Sequence, residues 1–302
     1  MAAKKKKQAQ SKKKAPKKSP KPGVKAVAPN QPIYFITGAA SGIGRQLARS
    51  AARRGVHVIM SDVDAQGLAA TAAEADAKSY SYETLRLDIR READWERAFE
   101  KLYRVHGRLD VLMNVAGFIK PGYCHEAPAG DVHAHFDINT KGLIFGTQAA
   151  ARRMVAAGAG HIVNFASLAG VAGIPGISLY SASKHAVRGY SLAIAQELTP
   201  HGVAVTVVCP DAVQTPMLDL QVDHDEAALT FSGDRFLTVE DIDRVVFEKV
   251  LSKRPPEVLV PGYRGVLTKL GAAFPGIASL LADSLSAKGR KKQAAIKSQQ
   301  HD

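Results

Sequence analysis

Apolar residues along this chain fall in short dense runs, separated by longer segments with helical periodicity. The runs are Ile33–Thr37, Val56–Asp62, Glu83–Asp88, Leu109–Asn114, His161–Ser167, Val203–Pro210 and Glu257–Val260. Helical spacing occupies residues near 43–54, 65–77, 91–106, 130–157, 178–200 and 238–253. A run that is apolar almost throughout is covered on both faces, and its alternation with helices predicts a parallel sheet between two helix layers. The expected fold class is α/β, a doubly wound parallel sheet of seven strands in a single domain, without internal repeat.

Two stretches break the alternation. Residues 211–237 join the sixth run to the next helix and carry Pro216, Met217, Leu218, Leu220, Leu229 and Phe231. A connection that long is usually functional, and a lid over a ligand is expected. Met217, Leu218 and Leu220 give it either an apolar ligand face or the packing of a lid onto its domain. Residues 264–285 place Val266, Leu267, Leu270, Phe274, Ile277, Leu281 and Leu285 at approximately helical spacing. Lys269, Pro275 and Asp283 argue against a bilayer-spanning helix, so an interfacial or packing helix is expected.

Composition changes this picture at the ends. The 302 residues are 46% hydrophobic, enough for one sizeable core, and the net charge is +13. Eleven lysines and no acid lie within residues 1–25, and residues 286–302 carry a charge of +4, leaving the remainder at −2. Residues 1–30 are expected to be a disordered lysine-rich tail, because so few large apolar groups cannot offset ordering entropy. Such a tail is a solubilising appendage, a weak attraction to anionic membrane, or a nucleic-acid or nuclear address. No secretory signal or metal-ligand spacing appears. Cys124 and Cys209 form no disulfide framework, and Cys209 reads as a buried hydrophobe. The default compartment is the cytoplasm, with membrane association as the alternative.

Chemistry concentrates at four places. Thr37-Gly38-Ala39-Ala40-Ser41-Gly42-Ile43-Gly44 follows the first strand and opens the first helix. Glycines there permit positive φ and close approach of a pyrophosphate, which the helix N-terminus attracts. Asp62 ends the second strand, eighteen residues after Gly44, where a carboxylate accepts from ribose hydroxyls or caps the next helix. It would repel a 2′-phosphate, and Val63 and Asp64 offer no compensating cation, so NAD is favoured and NADP less likely. Tyr180 and Lys184 lie one turn apart on a helix, and Ser167 ends a strand thirteen residues before Tyr180. An ammonium beside a phenol is expected to lower the tyrosine pKa and make it an acid–base group.

With these motifs the chain resembles the short-chain dehydrogenase/reductase family over about residues 31–262, which implies a Rossmann-like fold. The resemblance implies that Gly38, Ser41, Gly42, Ile43, Gly44 and Asp62 bind the dinucleotide, and that Asp88 and Ile89 contact its adenine. Asn114-Val115-Ala116-Gly117 resembles the family's Asn-Asn-Ala-Gly signature, with Val in place of one Asn, and brings in Asn114, Ala116 and Gly117. Pro210, Val213 and Thr215 match positions beside the nicotinamide. Asn139, Ser167, Tyr180 and Lys184 match the catalytic tetrad. Tyr180 is then the acid or base, Ser167 polarises the substrate oxygen, and Lys184 holds the nicotinamide ribose. Asn139 kinks its helix and holds a relay water. Asp211 departs from the usual glycine, with its role open.

The resemblance implies an NAD(H)-dependent alcohol dehydrogenase or ketone reductase and a homo-oligomer, dimer or tetramer. The lid and the 263–302 extension, amphipathic with a basic tail, point to a lipophilic substrate of steroid, retinoid or long-chain-lipid type. They also point to peripheral membrane contact through 264–292, or to packing within the subunit or across a dimer. The alternatives are a catalytically weak nucleotide-sensing protein and a tail-driven nucleic-acid- or membrane-associated protein. Nucleic acid is the unlikely partner, because the charge sits in the tails.

Overall fold

The computed structural model describes residues 27–28 and 30–301; the lysine-rich segment 1–25 lies outside them. Seven parallel strands form one sheet in the order β3-β2-β1-β4-β5-β6-β7. They are β1 (Ile33–Thr37), β2 (His57–Asp62), β3 (Tyr82–Arg86), β4 (Val111–Asn114), β5 (Gly160–Phe165), β6 (Val203–Pro210) and β7 (Glu257–Val260). The crossover helices are α1 (Gly42–Arg53), α2 (Ala65–Ala77) and α3 (Glu92–His106), then α4 (Ala129–Ala134) with α5 (Leu143–Ala157), and α6 (Ser178–Leu198).

Strand periodicity divides the core in two. Along β1, Ile36 packs with Leu47, Ala48 and Ile242 on one face of the sheet. Ile33 and Phe35 point the other way, toward Trp95, Phe99, Met154 and Ile194. Phe35 lies 5.7 Å from Trp95 and 5.5 Å from Phe99, centroid to centroid, so one aromatic cluster fastens α3 to the sheet. Strand order reverses between β1 and β4, and the crevice at the carboxyl ends there is where an open α/β sheet receives a ligand.

Three expectations are adjusted. The helix expected over 130–157 contains a π-helical segment, His135–Gly142, between α4 and α5. The 238–253 helix likewise divides into α8 (Val239–Val245), a π segment (Val246–Val250) and α9 (Leu251–Lys253). π segments are often found at functional sites, and hydrophobic spacing alone does not reveal them. Within the lid, a short helix α7 (Pro216–Asp219) is followed by a 3-10 stretch, Asp225–Ser232.

The third adjustment is the carboxyl terminus. Residues 286–301, expected as a basic tail, continue helix α11 (Pro275–His301), which follows α10 (Gly262–Ala273). The composition is rich in Ala, Lys and Gln, all good helix formers, and it sets Lys288 and Lys292 four residues apart on one face. That face meets the lid. Lys288 pairs with Asp234 at 2.7 Å, and Lys292 Nζ donates to the carbonyls of Gly233 (2.7 Å) and Asp234 (3.1 Å). The buried Gln293 Nε2 donates to the carbonyls of Gln221 (3.1 Å) and His224 (2.9 Å). Ile296 packs onto the apolar group of Leu218, Val222 and Phe231. Among the described residues no helix is long and apolar enough to cross a membrane.

Candidate active site

The glycine turn is built by close approach. Gly38 has φ +71° and Gly42 φ +51°, conformations that disfavour side chains. At Gly44 a Cβ would stand 2.1 Å from the carbonyl oxygen of Gly38. Ser41 caps α1 without a side-chain hydrogen bond, and no acid lies in the first turn, so the N–H groups there are left for an anion. Asp62 reaches back to this turn. Its Oδ2 accepts from Ala40 N at 3.0 Å and its Oδ1 from Asp64 N at 3.0 Å, leaving a further lone pair on each oxygen for a diol.

Thr37 Oγ1 accepts from the backbone N–H groups of Val115 (3.0 Å) and Ala116 (3.1 Å), joining β1 to the loop after β4. A Cβ at Gly117 would lie 3.5 Å from Asn139 Oδ1 and 3.6 Å from Lys184 Nζ, so this glycine keeps a pocket between them open. These features fit a dinucleotide lying along the strand ends. The cleft that holds them is large, about 1680 Å³, and runs from Asp62 and Ile89 to the C-terminal helices.

Sixteen of the eighteen residues expected at the site line this cleft; Asn114 and Asn139 stand behind its wall. Asn114 is buried and brackets the core, donating to Thr147 Oγ1 (3.1 Å) and Asn164 Oδ1 (2.9 Å). Asn139 is fully buried in the π segment. Its Nδ2 donates to Phe118 O (2.8 Å) and Ser183 Oγ (2.9 Å), and its Oδ1 accepts from Phe118 N (2.7 Å). Both amide protons are engaged, which leaves one Oδ1 lone pair for a water. Asp88 faces the cleft, but both its oxygens accept from the Arg90 guanidinium, at 2.9 and 2.7 Å.

Ser167, Tyr180 and Lys184 come together from the end of β5 and one face of α6. Ser167 caps a single 3-10 turn, its Oγ accepting from Ala169 N at 3.1 Å and donating to Pro210 O at 3.4 Å. Lys184 Nζ donates to Phe165 O at 2.9 Å and lies 5.7 Å from the Tyr180 ring centre. The expectation of a tyrosine lowered by its lysine is reversed here. Burial pushes the Tyr180 phenol up to about 12, opposed by the Ser167 hydrogen bond. Burial likewise pushes Lys184 down to about 8. Cys209 is the expected buried hydrophobe, its thiol raised to about 12 chiefly by burial.

The lid meets the expectation in part. Met217 and Leu218 line the cleft, whereas Leu220 is exposed outside it. Asp211 gains a role that the motif left open. Its carboxylate pairs with Arg264 of α10, tying the end of β6 to the C-terminal extension. Burial raises the Asp211 pKa and the Arg264 charge opposes that rise. Sequence reasoning missed Arg264, Ser183 and Gln293, which have no motif spacing; the unusual aspartate at 211 was the one signal pointing to Arg264.

The family model "short chain dehydrogenase" matches residues 32–226. The chain belongs to this family, and with it to the NAD(P)-dependent oxidoreductases. It is 37% identical over 189 residues to a 2-keto-3-deoxy-L-fuconate dehydrogenase of Xanthomonas campestris, covering 62% of this chain and 60% of that protein. It is 34% identical over 188 residues to a 3-alpha-(or 20-beta)-hydroxysteroid dehydrogenase of Mycobacterium tuberculosis, covering 62% and 71%. A short-chain dehydrogenase/reductase of Burkholderia phymatum in complex with NAD superposes with a TM-score of 0.74 at 26% identity, covering 82% of this chain and 95% of that one. Structures of comparable similarity hold either NAD or NADPH.

Proposed function

We propose that this protein moves a hydride between NAD(H) and an apolar secondary alcohol or ketone, with Tyr180 handling the proton at the substrate oxygen. The observation that carries this reading is the convergence of Ser167, Tyr180 and Lys184 on one cleft continuous with the glycine turn. Bound nicotinamide supplies or accepts the hydride and, when oxidised, a positive charge. With its pKa near 12, Tyr180 is a protonated phenol at neutral pH, the form that donates to a ketone oxygen. Ser167 holds that oxygen in place. Lys184, anchored on Phe165 O, reaches the floor of the pocket beside Gly117, where it can hold ribose hydroxyls. Asp62 supports NAD over NADP, because a 2′-phosphate would meet a carboxylate already committed to the turn.

The apolar substrate is supported by the cleft wall, where Ile119, Ile174, Met217, Leu267, Leu270 and Phe274 surround the space beyond Tyr180. Leu267, Leu270, Phe274 and Leu281 also remain 53–62% exposed, so the mouth itself is apolar. With Arg290 and Lys291 exposed nearby, this mouth supports peripheral contact with an anionic membrane by a cytoplasmic protein. A homo-oligomer is part of the same proposal, carried over from family resemblance. The test is turnover of alcohols and ketones of increasing chain length with each nucleotide, beside Tyr180→Phe. Tyr180→Phe is expected to lower turnover by about 10²–10⁴-fold with NADH binding retained. Equal turnover of short polar and long apolar substrates would refute the apolar assignment.

A further inference from the structure

At the end of the sheet opposite the cleft, three side chains distant in sequence converge. His57 opens β2, Glu83 is the second residue of β3, and His106 closes α3. Their donor atoms all lie within 4.8 Å of one another. Glu83 Oε1 is 2.7 Å from His106 Nε2 and 3.6 Å from His57 Nε2. The side chain of His57 is fully buried, and those of His106 and Glu83 are only 5% and 12% exposed.

His57 carries the argument further. Its Nδ1 lies 2.8 Å from Ser81 Oγ, while its buried Nε2 has no hydrogen-bond partner among the described residues. With Nδ1–H donating to Ser81 Oγ, the tautomer a metal ion would select, the Nε2 lone pair is aimed at the Glu83 carboxylate; with Ser81 Oγ–H donating to Nδ1, Nε2–H faces it instead. In the first tautomer two electron-rich groups face each other in a dry pocket, which is unfavourable unless a cation lies between them. A ligating histidine whose other ring nitrogen is held by a hydrogen bond is the usual outer-shell arrangement of metal sites.

We propose that His57 Nε2, the Glu83 carboxylate and His106 Nε2 bind a divalent transition-metal ion of the zinc type. Zinc bonds of about 2.0–2.2 Å in tetrahedral geometry put neighbouring donors roughly 3.3–3.5 Å apart; His57 Nε2 and Glu83 Oε1 stand close to that at 3.6 Å, while His106 Nε2 and Glu83 Oε1, hydrogen-bonded at 2.7 Å, move apart to admit the ion. Two imidazoles and one carboxylate favour zinc over calcium or magnesium, which prefer all-oxygen sites. The ion has a structural role, clipping α3 to β2 and β3. Lys101 Nζ stands 3.9 Å from Glu83 Oε2 and opposes a cation, but its side chain is half exposed and can turn to solvent.

The test is calorimetric titration of chelator-treated full-length protein with zinc chloride, alongside calcium chloride. One site per chain is expected, with zinc binding at least ten times tighter than calcium. His106→Ala and Glu83→Gln are expected to weaken zinc binding by about 10–100-fold, and Lys101→Ala to tighten it. Zinc should raise the melting temperature of the wild type but not of His106→Ala, with dehydrogenase turnover unchanged. The exposed Lys101→Ala keeps the test sound if a ligand variant folds poorly. Wild-type protein without a zinc site, equal affinity in His106→Ala, or weaker binding in Lys101→Ala would each overturn the proposal.

Discussion

The half of the cleft proposed to face the dinucleotide and the half proposed to face the substrate are built by different means. On the cofactor side, backbone approaches backbone: Gly44 stands against the Gly38 carbonyl, and Thr37 holds Val115 and Ala116. On the other side, the lid 211–237 is held from outside by α11 through Gln293, Lys292 and Lys288, and α10 is anchored by the Arg264–Asp211 pair. The family match spans 32–226, so it includes the first half and stops before α10 and α11. Local backbone geometry thus builds the first half, while contacts between residues distant in sequence shape the second.

The comparison breaks first at Gly44. Gly44→Ala puts a methyl against an immovable carbonyl, and overpacking of this kind costs roughly 1–3 kcal/mol of stability. Displacing the turn is also expected to weaken NADH binding by about a hundredfold, as ångström-scale misplacement of a positioning element does. Fluorescence titration and thermal melting measure both. Near wild-type binding would mean that the turn does not hold the pyrophosphate.

A pH test probes the sheet that both halves share. His161, in β5, is buried, with Nε2 3.0 Å from Thr206 Oγ1 and no partner on Nδ1. Burial, with a smaller contribution from the charge of Arg254, lowers its pKa to about 4. The unfolded chain therefore binds more protons between pH ~6.5 and ~4, so the stability from neutral His161 is complete above that window and lost as pH falls through it. The loss is on the order of 3 kcal/mol by pH 4. Denaturant unfolding across this range should show it, and His161→Leu should flatten the profile. An equally steep profile in the variant would assign the acid sensitivity elsewhere.

The substrate half gives the smallest effect and the sharpest contrast. Gln293→Ala combined with Lys292→Ala removes four hydrogen bonds to the lid. At about 1 kcal/mol for each buried bond and less for exposed ones, KM for an apolar substrate is expected to rise roughly 5–30-fold. NADH affinity should stay unchanged. A parallel loss of cofactor binding would show that the two halves are not separable.

The same contrast explains what was legible without coordinates. The strand and helix order, the glycine turn, Asp62 and the Ser167–Tyr180–Lys184 group were readable, because each depends on spacing within one element or on residue type at a strand end. The π segment at His135–Gly142 was not, since hydrophobic periodicity is blind to one inserted residue. Asn114 carried a signature yet turned inward, because a motif records residue type and not the direction of a side chain.

Hydrophobic patterning by itself determined a two-faced parallel sheet, and local spacing picked out the glycine turn and the Ser167–Tyr180–Lys184 group that the structure brings to one cleft. Tertiary structure decided the pKa values of Tyr180 and Lys184, since desolvation depends on everything packed around them. It decided that the basic C-terminal segment is a strap on the lid and not a free tail, because its partners at Gln221, His224, Gly233 and Asp234 lie 54–72 residues away. It also assembled His57, Glu83 and His106, which no spacing connects, because strand pairing and the aromatic anchoring of α3 bring distant positions within ligand distance.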